Sequence, residues 1–187
     1  MGTPDDDAGP AARSAADAEL AHQDQVAAEG LSLSMSNLTT MATTLAEEGY
    51  GDAAGVLTRA AAQESGEAAR HALQGEYFQE ASNEWGVAAI ALDHQAKASG
   101  QALVAAADRR HALEGLDQPS ITDIEHALAA SAEAAIEARM RTHIDEAAIS
   151  GRVAEDSAER AIVAEEQAHG VHPEVTDSAA QGAADPE

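Results

Sequence analysis

The sequence predicts an all-α protein, and three observations carry that prediction. Alanine makes up much of the apolar fraction, no proline occurs between Pro10 and Pro119, and apolar residues recur at steps of three, four and seven with no alternating run. Alanine is the best helix former because it loses no side-chain entropy, and the absence of proline removes the strongest helix breaker. Aromatic residues are only 2% of the chain: Tyr50, Tyr77, Phe78 and Trp85. Small side chains bury little area each, so stability must come from long, closely packed helices.

Five helical segments follow in order. The first, 14–47, carries Leu31, Leu38 and Leu45 seven residues apart with Met41 between, and Gly30 is its weak point. Glu48-Gly49-Tyr50-Gly51-Asp52 is a turn, with glycine where a helix C-cap wants it and Asp52 as the next N-cap. The second segment, 52–74, turns Val56, Leu57, Ala60 and Ala61 toward the core. The third, 81–114, lines up Trp85, Leu92, Ser99, Ala106 and Leu113. Gly115-Leu116-Asp117-Gln118-Pro119 breaks the chain, and Ser120-Ile121-Thr122-Asp123 reads as an N-cap followed by an acid. The fourth segment, 121–149, points Leu128, Ala132, Ile136, Met140 and Ile144 inward; the fifth, 152–170, contributes Ile162 and Val163.

Domain organisation follows from composition. Residues 1–13 form an acidic leader with Pro4 and Pro10, and 171–187 form a tail with Pro173 and Pro186 and almost no apolar content beyond alanine. Both are expected to be disordered, leaving 14–170 as one helical domain. Met1 to Asp7 shows neither a basic n-region nor an apolar h-region, and no apolar run approaches the roughly 18 residues of a membrane span. A cytoplasmic location is expected.

Net charge narrows the function classes. The chain carries 34 acids against 10 bases, a formal charge of −24, and Lys97 is its only lysine. There is no basic patch to neutralise phosphates, which argues against nucleic acid and against anionic membrane surfaces. Abundant acid with little lysine and few bulky apolar residues is the style of a halophilic protein, in which salt relieves self-repulsion. No cysteine is present, which excludes disulfides, thiolate zinc sites and iron–sulfur clusters. No phosphate-binding glycine loop, nucleophile elbow or Ser/His/Asp arrangement occurs.

Carboxylates on apolar stripes are the most specific chemical feature. In the second segment the row Leu57, Ala60 or Ala61, Glu64, Glu67 and His71 keeps to one stripe by steps of three and four. In the fifth the row is Ile162, Glu166 and His169; in the fourth, Glu133 leans toward the core with Glu137 at its edge. A glutamate and a histidine three apart converge on a point just off the helix, and such sets suit iron or manganese inside helical bundles. Inward acids are costly unless a cation compensates them.

Two stretches 102 positions apart strengthen that reading. Leu45-Ala46-Glu47-Glu48-Gly49-Tyr50 leading to Glu64, and Ile149-Ser150-Gly151 leading to Glu166-Gln167-Ala168-His169, resemble the two halves of the rubrerythrin branch of the ferritin-like superfamily. The resemblance implies an antiparallel four-helix bundle, here with 81–114 as an extra central helix. It implies ligands at Glu64, Glu166 and His169, with Glu67 where the family has histidine and Glu133 or Glu137 as the acid of the preceding helix. The chain departs from the family in having Leu31, Ser32, Leu33, Ser34 and Met35 where the first helix should offer a glutamate.

Three functions are compatible with these features. One is a ferritin-like bundle that binds iron or manganese at an incomplete site and oxidises Fe(II) or handles peroxide. Another is a non-enzymatic helical interaction or scaffold protein that self-associates or coats a surface, supported by small side chains and heptad-like spacing. The third is a passive acidic solubility module. A homo-oligomer is expected under the first two.

Overall fold

The computed structural model describes residues 8–116 and 123–171, and every described segment of any length is α-helix. There are three helices: α1 (Pro10–Glu47), α2 (Gly51–Leu116) and α3 (Asp123–His169). α1 packs antiparallel to α2 and α2 antiparallel to α3. The all-α expectation holds, but the four-helix bundle with an extra central helix is overturned. The expected segments 52–74 and 81–114 both fall in α2, and the described parts of the fourth and fifth, 123–149 and 152–169, both fall in α3.

The reason lies in what the glycines do. An interior glycine costs a helix only about 1 kcal/mol against alanine, so without proline or a capping group it does not stop one. Gly75 lies inside α2, where an added Cβ would stand 3.2 Å from the Ala21 carbonyl and 3.3 Å from Asp24 Cβ. It is there for close approach to α1. Gly151 lies inside α3 against Gln95, with an added Cβ 2.8 Å from Nε2. Gly49, by contrast, stops α1. Its φ of 90° is the left-handed conformation that glycine adopts without strain. The Gly49 N–H donates to Ala46 O at 3.1 Å and the Tyr50 N–H to Leu45 O at 2.8 Å, a Schellman closure of α1.

At its other end α1 starts at Pro10, ahead of the expected position 14. Proline lacks the N–H that a first helical residue would leave unpaired anyway. Asp52 falls within the first turn of α2, where its charge favours the helix dipole. The expected cap at Ser120 to Thr122, the break at Asp117 to Pro119 and most of the tail lie outside the described residues, and Asp123 is the first residue of α3.

Two compact units divide the chain, one comprising Met1–Trp85 and Glu159–Glu187, the other Gly86–Ala158. In the first unit the half-buried and buried positions of α1 include 14, 17, 21, 24, 28, 31, 35, 38, 42 and 45, an unbroken alternation of threes and fours. The facing row on α2 is 54, 57, 61, 64, 68, 71, 75, 78, 82 and 85. Such a heptad pair is a coiled-coil seam. Polar links fix its register: the His71 ring meets Asp24 at 2.7 Å, and Ser14 bonds Ser82. Phe78, Ala21 and Ala168 form the core where α3 joins.

In the second unit the rows are 88, 91, 95, 98, 102, 105, 109 and 112 on α2 and 129, 133, 136, 140, 143, 147, 150, 154 and 157 on α3. The α2 row is alanine except at Gln95 and Arg109. Of the expected inner line Trp85, Leu92, Ser99, Ala106 and Leu113, Trp85 is buried and the other four are off by one position. Ala91, Ala98 and Ala105 are buried, while Leu92 and Leu113 are exposed. On α3 the expected Ile136 and Met140 stand on the inner row, whereas Leu128, Ile144, Ile162 and Val163 are exposed. Alanine seams let helix axes approach closely, and bulky aliphatics are pushed to the flanks.

Candidate functional site

The six sequence-derived ligand candidates divide between the units. Glu64 stands on the α2 row facing α1, and its Oε2 is buried without a hydrogen-bond partner. Glu67 is exposed one turn on. Glu166 and His169 are exposed, although the His169 ring meets Phe78 edge-on with centroids 5.4 Å apart. Within the second unit, Arg109 occupies the other two acids. Its Nε donates to Glu133 Oε1 at 2.6 Å and its Nη2 lies 3.2 Å from Glu137 Oε2. The Glu133 bond, with the charges of Glu137 and Glu133, raises the Arg109 pKa. Glu137 also pairs with Arg141.

Among the described residues no group of three or more histidines, aspartates or glutamates is arranged to hold a metal ion. Of the six candidates, Glu64 alone has an orphaned oxygen that would favour a cation. Glu67 and Glu166 are exposed, His169 sets its ring against Phe78, and Glu133 and Glu137 already have a guanidinium as their cation. The residues present thus do not fit the carboxylate-rich iron or manganese centre that the resemblance implies.

Sequence reasoning missed a different acid pair. Asp17 is on the seam row of α1, only 6% exposed. Its carboxyl faces Glu165 of α3, and burial first, then the Glu165 charge and hydrogen bond, push its pKa up to about 6 against the opposing pull of Arg13. As carboxylates both groups only accept, and Asp17 Oδ2 is then buried without a donor. A proton on Asp17 supplies one. Glu165 also accepts from the Trp85 indole N–H at 2.5 Å, and the Arg13 guanidinium lies 4.9 Å from the Trp85 ring centroid. The signal was available: Asp17 continues the heptad of Leu31, Leu38 and Leu45 toward the N-terminus. These contacts link α1, α2 and α3 through Asp17, Trp85 and Glu165.

The remaining candidate is a surface. In the second unit a groove of about 420 Å³ runs between α2 and α3, lined by Ser99, Ala102, Leu103, Ala106, Met140, Ile144 and Ala147. None of these side chains ionises, in a chain of which 24% is charged. Leu103 is 73% exposed and Ile144 50% exposed at its rim. A second groove, about 590 Å³ between α1 and α2, is lined by Met35, alanines, Gly55 and the hydroxyl residues Thr39, Thr43, Thr58 and Ser65. Thr39, Thr43 and Thr58 donate to carbonyls one turn back in their own helices, so their hydroxyls are satisfied locally.

No family model, curated protein or solved structure matches the chain. No helix among the described residues is long and apolar enough to cross a membrane.

Proposed function

We propose that the chain is a non-enzymatic helical interaction protein, a scaffold of alanine-seamed helices whose outer aliphatic rows hold other helices. One observation carries this reading: Leu31, Leu38, Leu45, Leu57 and Ile136 are half-buried on the seams, but many of the large aliphatics stay outside them. Side chains such as Val26, Leu33, Ile90, Leu103, Val104, Leu128 and Ile144 are left exposed. Exposed apolar residues scattered singly would need no explanation. Aliphatics that line an uncharged groove on a strongly acidic protein mark a contact surface.

Chain mass by light scattering across the micromolar range in high salt, together with retention on a phenyl matrix, tests the reading. Self-association or retention supports it; a monomer that the matrix does not retain overturns it. An anaerobic Fe(II) titration separates it from the metal-binding alternative. The interaction reading expects metal well below about one ion per chain after repurification, unchanged in Glu166→Ala and His169→Ala.

A further inference from the structure

Resting on the reading above, we propose that the α2·α3 hairpin of the second unit docks face to face on the same hairpin of a second copy of this chain, about a two-fold axis beside Leu103 and Ile144.

The argument begins with the order of residues along the groove. On α2 the outward row is Leu92, Ala96, Ser99, Leu103, Ala106, Arg110 and Leu113, apolar or small except at Arg110, which pairs with Glu114 of its own helix. Run antiparallel against itself with the axis between positions 102 and 103, this row sets Leu92 against Leu113 of the second copy and Ser99 against Ala106. Leu103 then lies beside its own counterpart. Gln95 lies against Gly151, and Arg109 bonds Glu137, so the level of α3 opposite that axis falls between 143 and 144. The same two-fold then sets Met140 against Ala147 of the second copy and Ile144 beside its own counterpart. On α2 leucine meets leucine and small meets small, on α3 large meets small, and Leu103 and Ile144 meet their own counterparts, all at a single level. A two-fold interface requires this self-complementarity, and a heterologous partner does not.

Charge points to the same occupant. A basic partner would be drawn to the acid-rich remainder of the chain. Residues 86–158 hold six of the ten bases and only twelve of the 34 acids, and the groove itself holds none of either. A like-charged copy meets least repulsion there. Area is sufficient but not generous. From Leu92 to Leu113 the row is about 32 Å long at 1.5 Å per residue. Two helices side by side make a face of roughly 600 Å² per copy, near the lower end of stable interfaces. Pairing the hairpins completes a four-helix bundle over two alanine seams that cannot cover their own flanks.

The chain has no cysteine, so a single introduced one reports cleanly. Leu103→Cys in the full chain is expected to form a disulfide-linked dimer under mild oxidation far faster than Leu33→Cys, a similarly exposed position on α1. Leu103→Glu and Ile144→Glu are expected to raise the dimer dissociation constant about tenfold or more. Helix content by circular dichroism should stay unchanged, because both side chains are already in solvent. Equal or faster cross-linking of the Leu33→Cys variant, or a dimer indifferent to both glutamates, overturns this face. A wild-type chain that is monomeric in high salt also overturns it. If that monomer still binds the phenyl matrix, the interaction reading survives without the second copy.

Discussion

Ser14 and Ser82 exchange hydrogen bonds across the α1·α2 seam: each Oγ donates to the other residue's main-chain carbonyl at 2.8 Å. The two hydroxyl oxygens themselves lie 3.4 Å apart. A hydroxyl buried on a seam needs a partner, and only one register supplies both. Slipping α1 by one heptad would bring Ala21 to Ser82 and take Asp24 away from His71. Polar seam positions of this kind fix register at some cost in stability. Ser14→Ala and Ser82→Ala are each expected to lower unfolding free energy by about 1 kcal/mol. The double variant should lose clearly less than the sum, as groups in direct contact do. Additive losses in urea titrations would mean that the pair does not act as a unit.

Glycine substitutions separate close approach from helix propensity. Gly30 in α1 and Gly100 in α2 have nothing within 4 Å of an added Cβ. Alanine there should raise stability by up to about 1 kcal/mol. Gly75→Ala gains the same propensity but presses its methyl to 3.2 Å from the Ala21 carbonyl, main chain that cannot rotate away. It is expected to lower the melting temperature while the other two raise it. A rise at all three positions would show that α1 and α2 do not need this approach.

Those glycines also show where the sequence was legible. Gly49 stands in an acidic turn between two periodic stretches, and the end of α1 could be read to the residue. Gly75 and Gly151 carry the same letter, but their role depends on Ala21 and Gln95, which are distant in sequence. The inner face was misplaced for a related reason. Placing the largest apolar residues inward selects Leu92 and Leu113, whereas Ala91, Ala98 and Ala105, seven apart and adjacent, form the seam. The heptad was visible, but its phase depended on which packing distance prevails. Glu133 and Glu137 are half-buried beside α2, and what sequence spacing could not supply was Arg109 as their counter-ion. Asp17 was missed because its partner, Glu165, is on another helix.

The Asp17–Glu165 contact makes stability depend on pH with a definite sign. Asp17 rises from an ordinary value of 3.8 to about 6 in the folded protein. The folded state therefore holds a proton that the unfolded state has released. This contribution is fully present below about pH 3.8 and is lost as pH rises through about 6. The gap between the two values corresponds to at most about 3 kcal/mol, less whatever solvent screening removes. Asp17→Asn keeps a donor toward Glu165 at every pH. It should gain stability over the wild type at pH 7 and lose that advantage near pH 4. Self-repulsion among the other acids also weakens the fold as pH rises, but it is common to both proteins and cancels in the comparison. A difference independent of pH would refute the shared proton.

Arg109 reaches two glutamates at once, 2.6 Å from Glu133 and 3.2 Å from Glu137. The fork matters as much as the charge, because a lysine ammonium cannot make two aligned bonds from one planar group. Arg109→Lys is expected to lose most of what Arg109→Ala loses in melting temperature at low salt. Both deficits should narrow at about 1 M salt, where screening falls to roughly 3 Å. A lysine variant as stable as wild type would reduce the contact to simple charge balance.

Salt should act on the whole chain in the opposite direction from its effect on that one contact. Screening weakens ion pairs such as Arg109–Glu133 and Arg160–Glu84, and it also weakens repulsion among acids. The net charge decides which effect prevails. Ten bases can pair with at most a minority of 34 acids, so the excess of −24 dominates. Alanine seams bury too little apolar area per residue to hide such a load. The melting temperature is therefore expected to climb steadily from about 0.1 to about 3 M potassium chloride, with most of the rise below about 1 M, where the screening length shortens fastest. A flat or falling curve would mean that the acids are spaced widely enough to ignore one another, and the salt-adapted reading of the composition would fail with it.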